Sequence, residues 1–206
     1  STMQLTVPPI QELVAPASWR AVEFISDLHL DAGEPATVAA LAHYLATSKA
    51  DAIFLLGDLF EVWVGDDVVS TDFHAHPEAS FENRCASALN RAASQRALFF
   101  MHGNRDFLVG PALMALCNAT LLDDLTVLTF SSQRWLLSHG DALCLDDTDY
   151  MQFRQQVRSA AWQRAFLAKP LTERQTIARE IRRQSEARKQ SSQDYADIDT
   201  AAVRQW

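Results

Sequence analysis

The stretch Phe99-Phe100-Met101-His102-Gly103-Asn104-Arg105-Asp106 decides how the chain is read, because an apolar run of strand length ends abruptly in side chains that bind metals and phosphates. Three other stretches repeat that design: Phe24-Ile25-Ser26-Asp27-Leu28-His29, Ile53-Phe54-Leu55-Leu56-Gly57-Asp58 and Trp135-Leu136-Leu137-Ser138-His139-Gly140-Asp141. In open α/β sheets, ligands gather outside the carboxyl ends of the strands. Four strands that each deliver Asp, His or Asn at that end predict one shared metal centre.

The segments between these stretches read as crossover helices. Val38, Leu41, Ala42 and Leu45 recur at helical spacing from Glu34 to about Ser48, with Pro35 allowed in the first turn. Ser80 is placed to cap a helix running to about Ser94, and Gly110-Pro111 opens a short one through Leu116. The strands are expected at Ala21 to Ser26, Ile53 to Leu56 and Ala97 to Met101. Ile53 to Leu56 is apolar on both faces, as for a central strand covered by helices on each side. Leu125 to Phe130 and Arg134 to Ser138 predict a β-hairpin. The loop Leu59 to Asp67 carries more apolar bulk than a solvated connection needs, so it is expected to line a pocket.

This alternation predicts an α/β layered fold over residues 21–150, preceded by an irregular lead-in at 1–20 with Pro8, Pro9 and Pro16. Beyond Tyr150 the pattern is helical. Phe153, Val157, Ala161, Ala165 and Leu167 fit one face of a helix ended by Lys169-Pro170, and Thr172 with Gln175 resembles the capping box of a second. Residues 151–192 are therefore read as a helical hairpin, with a polar turn at Gln190 to Gln193 and a return to the body over 193–206.

At 206 residues and 48% hydrophobic content, the chain can bury a substantial core, and no run approaches the roughly 18 apolar residues that span a bilayer. No basic patch leads into an apolar segment at the N-terminus, which argues against a secretory signal. Cys85, Cys117 and Cys144 are odd in number and widely spaced, so neither a disulfide framework nor a zinc ribbon is indicated and a reduced, cytoplasmic setting fits. The net charge of -8 argues against nucleic-acid binding. Residues 1–150 hold 7 Lys and Arg against 20 Asp and Glu, whereas 151–190 hold 10 against 3. An acidic body suits divalent cations; a basic helical segment suits an anionic substrate or membrane surface.

Asp27 and His29 lie two apart in what reads as an extended segment, so both side chains point the same way and can bind one ion together. Asp58 can bridge two cations through its two oxygens, Asn104 offers an amide oxygen and His139 a ring nitrogen. Such mixed nitrogen and oxygen ligands suit Mn, Fe, Co or Zn. Two ions would activate a water and stabilise the attacking and leaving oxygens of a phosphoester, which is hydrolase chemistry. Arg105 is read as a clamp on a phosphate oxygen, with pairing to Asp106 as its plainer role. His102 reads as a packed strand-end histidine, and His43, His74 and His76 as solvent-facing.

The set Asp-Leu-His, Gly-Asp, Gly-Asn-Arg-Asp and His-Gly-Asp, in this order, resembles the calcineurin-like metallophosphoesterase family, whose fold is a layered β-sandwich flanked by helices. Gly57 to Asp67, His102 to Leu108 and His139 to Asp147 resemble, more narrowly, its UDP-2,3-diacylglucosamine pyrophosphatase branch in lipid A biosynthesis. The resemblance covers nearly everything from Phe24 to Trp206. It implies hydrolysis of UDP-2,3-diacylglucosamine to UMP and 2,3-diacylglucosamine 1-phosphate, with two Mn ions, at the cytoplasmic face of the inner membrane, by a peripheral protein for which a monomer is favoured. It further implies that Asp27, His29 and Asp58 hold one ion and Asp58, Asn104 and His139 the other, and that Asn104 and Arg105 touch the phosphate. Asp147, Tyr150 and Ser185 match positions that contact the sugar phosphate, and the helical hairpin matches a lid over the acyl chains.

Two departures qualify the match. The branch's Asn and Lys after the matched Ser have no clear counterpart, and Lys189 is the nearest substitute. Its closing Gly-His-x-His motif is absent as far as Trp206, so the resemblance implies a natural chain that continues into that motif and the strands around it. A non-catalytic nucleotide-lipid binding form, or a phosphoesterase acting on soluble nucleotides, is the alternative. Turnover of the diacylated substrate separates them.

Overall fold

Strict alternation along two central strands divides the buried apolar residues into two layers. In the strand Ala52–Leu56 (β3), Ala52 and Phe54 face one way and Ile53 and Leu55 the other; in Ala97–Met101 (β4), Phe99 and Met101 oppose Leu98 and Phe100 in the same manner. Successive side chains of a strand point to opposite faces, so an apolar run of this kind needs cover on both. The computed structural model describes residues 9–140 and 148–204, and of these the side chains other than those of 148, 150 and 188–204.

β3 and β4 are the middle of a parallel sheet completed by Val22–Ile25 (β2) and Thr120–Leu122 (β5), in the order β2-β3-β4-β5. The crossovers are Pro35–Thr47 (α1), Phe81–Ala93 (α2) and Pro111–Cys117 (α3). Leu41 and Leu45 of α1, Leu89 of α2 and Leu113 of α3 pack on the Ile53, Leu55, Leu98 and Phe100 face. Ser80 caps α2 as its position suggested, its Oγ accepting the amide of Asn83 at 2.9 Å.

The other face meets a second sheet rather than a second layer of helices. Gln11–Val14 (β1), Thr126–Phe130 (β6) and Gln133–Leu137 (β7) form it in the order β1-β6-β7, with β6 and β7 the expected antiparallel hairpin. Phe54 stacks on Phe99 with ring centroids 4.6 Å apart and planes 8° from parallel, Trp19 meets both edge-on, and Leu128 and Leu137 close the layer. Continuous apolar runs do not say whether a helix or a sheet covers them. The lead-in is thus not wholly irregular: β1 pairs in parallel with β6, Gln11 against Thr126 through Val14 against Thr129. Four residues flanked by prolines, and the three of β5, are too short for periodicity to reveal.

Among the described residues the C-terminal part holds three helices, Thr148–Arg158 (α4), Ala160–Leu167 (α5) and Leu171–Arg204 (α6). The single helix expected before Pro170 is broken at Ser159, whose hydroxyl accepts the amide of Trp162 at 3.2 Å and so caps α5. α6 starts ahead of Thr172, and Arg174 donates its amide to Pro170 O, so the Thr172 capping box does not form. The backbone also runs straight through Gln190–Gln193, because residues 171–204 contain neither Gly nor Pro and polarity alone does not end a helix. The expected return of 193–206 concerns side chains outside those described. Phe166 is buried against the body and stacks on half-buried Trp162 at 5.0 Å, while Phe153, Leu167 and Ile181 stay exposed.

Phe54→Ala is expected to lower the unfolding free energy by about 3–5 kcal/mol in urea titration, the range for deleting a buried ring. Val14→Ala, at a residue 71% exposed, is expected to change it by less than about 0.5 kcal/mol.

Candidate metal centre

Because β2, β3 and β4 are parallel, their carboxyl ends share one edge, and Asp27, Asp58 and Asn104 follow there in turn. His139 arrives from the second sheet, just after β7. Asp27, His29 and Asp58 all have left-handed backbone, with φ of 57°, 48° and 52°. Few non-glycine residues adopt that region, though Asp and His tolerate it better than most. The segment is therefore not extended as the sequence suggested. It is held in place by main-chain bonds from Asp27 N to Gly57 O and from His29 N to Asp58 O, each 3.0 Å.

Asp58 is buried, and the other groups close around it. His29 Nε2 lies 3.9 Å from its Oδ2 and 3.8 Å from Asp27 Oδ1, and His139 Nε2 lies 3.3 Å from the same Oδ2. The amide of Arg105 donates to Asp58 Oδ1 at 2.8 Å. Burial would raise the Asp58 pKa, but the bonds from His139 and from the Arg105 amide outweigh it and hold the carboxyl below the usual range.

Both histidines have their second nitrogen engaged. His139 Nδ1 donates to Leu56 O at 3.0 Å and His29 Nδ1 to Glu61 Oε2 at 2.9 Å, so in the neutral form of each ring the proton sits on Nδ1 and Nε2 is the nitrogen open to an ion. The side-chain amide of Asn104 lies 3.0 and 2.5 Å from the two Asp58 oxygens; turned over, its nitrogen donates to both. Two carboxylates and two imidazole nitrogens converge at this point, and these donors fit a divalent ion. Asp27, His29 and Asp58 present ligand atoms within 4.8 Å of one another.

Glycine makes the crowding possible at two points. A β-carbon on Gly103 would overlap the carboxylate and amide of Asp58, and one on Gly57, at φ +91°, would overlap the His139 ring. Beneath the site Asp106, fully buried, accepts the amides of Gly103 and Leu59 at 2.8 Å and of Asp58 and Phe60 at 3.3 Å. Burial pushes its carboxyl up to about 6. It does not pair with Arg105, whose guanidinium lies 3.3 Å from Glu61 Oε1. His102 is structural as expected: its Nε2 lies 2.6 Å from Val109 O, its ring stands edge-on to Phe100, and burial lowers its pKa. His43, His74 and His76 are exposed.

Three arginines that sequence reasoning did not assign to the site join the C-terminal helices to it. Arg158 of α4 donates to Gly103 O at 2.8 Å; buried Arg174 of α6 reaches Val64 O and Asp67; Arg182 of α6 lies 3.3 Å from Glu61 Oε1. Their only signal was the basic balance of residues 151–190. The loop after Asp58 does line a pocket, a cleft of about 340 Å³ where Val62, Trp63 and Val64 face Gln175, Arg179 and Arg182. Ser185 is half-buried one helical turn beyond Arg182. Asp147 and the side chains of Tyr150 and Lys189 lie outside the described residues.

The calcineurin-like phosphoesterase family model matches residues 22–181. The chain belongs to that family. Like its relatives there, it is a metallophosphoesterase-type hydrolase, with its acidic and histidine side chains at the sheet edge described above. It is 47% identical over 189 residues to the UDP-2,3-diacylglucosamine hydrolase of Chromobacterium violaceum, covering 90% of this chain and 76% of that one. The proteins of that name from Ralstonia nicotianae and Chromohalobacter salexigens are 44% and 41% identical, covering 88% and 87% of this chain and 66% and 71% of theirs.

Gly103→Ala is expected to weaken binding of a divalent ion, measured calorimetrically, by at least about tenfold, because Asp58 must shift. Gly33→Ala, whose β-carbon would come no closer than 3.7 Å to another group, is expected to bind as the parent does.

Proposed function

We propose that the chain hydrolyses the pyrophosphate bond of UDP-2,3-diacylglucosamine, giving UMP and 2,3-diacylglucosamine 1-phosphate, as a step of lipid A biosynthesis. The observation that carries this reading is the position of Asp58, one carboxylate shared between the Asp27 and His29 side and the Asn104 and His139 side of a single cluster. Asp27, His29 and Asp58 would hold one divalent ion, and Asp58, Asn104 and His139 a second, with Mn²⁺ the favoured metal. Bound there, such ions supply an activated water and Lewis-acid stabilisation of a phosphoryl centre.

The chain's own residues do the rest. The Nδ1 bonds to Glu61 and Leu56 fix the tautomers of His29 and His139, so that Nε2 is the ligating nitrogen of each neutral ring. Arg105 stands beside Asn104 with a planar guanidinium suited to a phosphate oxygen, and Asp106 keeps the loop that carries both in register. Ser185, with Asp147, Tyr150 and Lys189, is assigned to the sugar phosphate. The relatives named UDP-2,3-diacylglucosamine hydrolase support the substrate, and the exposed Phe153, Leu167 and Ile181 on the C-terminal helices support a lid that meets acyl chains. A basic helical segment with apolar residues also supports peripheral attachment to the cytoplasmic face of the inner membrane. No helix among the described residues is long and apolar enough to cross it.

Asp58→Ala is expected to lower kcat/KM on UDP-2,3-diacylglucosamine by at least about a thousandfold, a loss of roughly 4 kcal/mol of transition-state stabilisation. Chelation should abolish turnover and added Mn²⁺ restore it. Equal kcat/KM on the deacylated nucleotide sugar would count against the lipid specificity.

A further inference from the structure

Glu61 is a nearly buried carboxylate in the loop after Asp58 whose two oxygens are divided between three partners on three different segments. Oε2 accepts from His29 Nδ1 at 2.9 Å, while Oε1 lies 3.3 Å from both Arg105 Nη1 and Arg182 Nη2. Only 14% of its side chain is exposed, against 36% for His29, 20% for Arg105 and 34% for Arg182. His29 is a proposed metal ligand, Arg105 the proposed phosphate clamp, and Arg182 belongs to the helix that covers the site.

We propose that Glu61 is a positioning residue that orients the metal ligand His29 and the arginine Arg105 together and ties the covering helix α6 to both through Arg182. The inference rests on the metal-centre reading above and deepens it. A carboxylate on the far nitrogen of a ligating imidazole fixes the tautomer and the ring plane, and raises the basicity of the ligating nitrogen. The second oxygen gives two guanidinium groups one shared anchor, so Arg105 is kept from swinging towards solvent or Asp58. Arg182 also donates through Nε to Glu186 one turn along α6, at 3.2 Å, so its guanidinium is held between the two carboxylates. Docking of the helix and arrangement of the site are thereby joined at one carboxylate.

The test is Mn²⁺ affinity by titration calorimetry on the full 206-residue chain without substrate, together with kcat and KM at saturating Mn²⁺. Glu61→Gln keeps the shape but removes the charge and one acceptor; it is expected to weaken Mn²⁺ binding about 10–100-fold while the thermal unfolding of the metal-free protein stays within a few degrees of the parent. Arg182→Met is expected to keep Mn²⁺ affinity within about threefold and to raise KM with little change in kcat, the mark of lost uniform binding. Should Glu61→Gln fail to fold, Glu61→Asp, which withdraws the carboxylate by one methylene, carries the same expectation. Parent and Glu61→Gln binding Mn²⁺ equally tightly would overturn the role of Glu61 and leave the metal centre standing. A parent chain that binds no divalent ion would overturn the metal centre and Glu61's role with it.

Discussion

The carboxylate of Asp106 accepts four main-chain amides, three from the loop after β3 and one from the loop after β4, and the arrangement of the sheet edge depends on it. Those loops leave adjacent parallel strands, and although main-chain bonds tie the first of them to the segment after β2, the β3–β4 ladder ends with the pair Leu56 and Met101. A buried acceptor with four donors supplies the missing register, and buried amides left unpaired would each cost about 1–3 kcal/mol. Asp58 is thereby fixed at both its amide and its side chain, since the Gly103 loop that Asp106 draws in also presents the Arg105 amide to Asp58 Oδ1.

From this lock the rest of the site follows by crowding. Gly57 and Gly103 let two backbones approach so closely that the Asp58 carboxylate, the His139 ring and the Asn104 amide share one small volume. Left-handed backbone at Asp27, His29 and Asp58 stores strain of the kind found at binding sites, and the surrounding hydrogen bonds hold it. The outcome is two carboxylates and two imidazole nitrogens gathered at one point, a donor set that suits a divalent cation. The helices beyond residue 147 are joined to this edge by charge as well as by packing, through Arg158, Arg174 and Arg182.

Much of this was legible in the sequence for a physical reason. A strand that must be apolar and then end in Asp, His or Asn leaves a sharp boundary, so β3, β4 and the side chains at their tips could be read directly, as could the Ser80 cap. What periodicity could not carry was the cover on the second face of β3, since apolar residues pack equally well under a helix or a sheet. The short β1 and β5 and the break at Ser159 escaped for want of length or of a strong breaker. Asp106 and Glu61 were hidden for another reason: their role depends on donors from segments far apart in sequence, and an acidic residue beside an arginine looks like a local ion pair.

Anomalous diffraction from crystals grown with Mn²⁺ tests the central claim most directly. The account predicts two manganese peaks flanking Asp58, one shared with Asp27 and His29 and the other with Asn104 and His139. A fully occupied site that leaves Asp58 uncoordinated, or a single ion away from these residues, would contradict it.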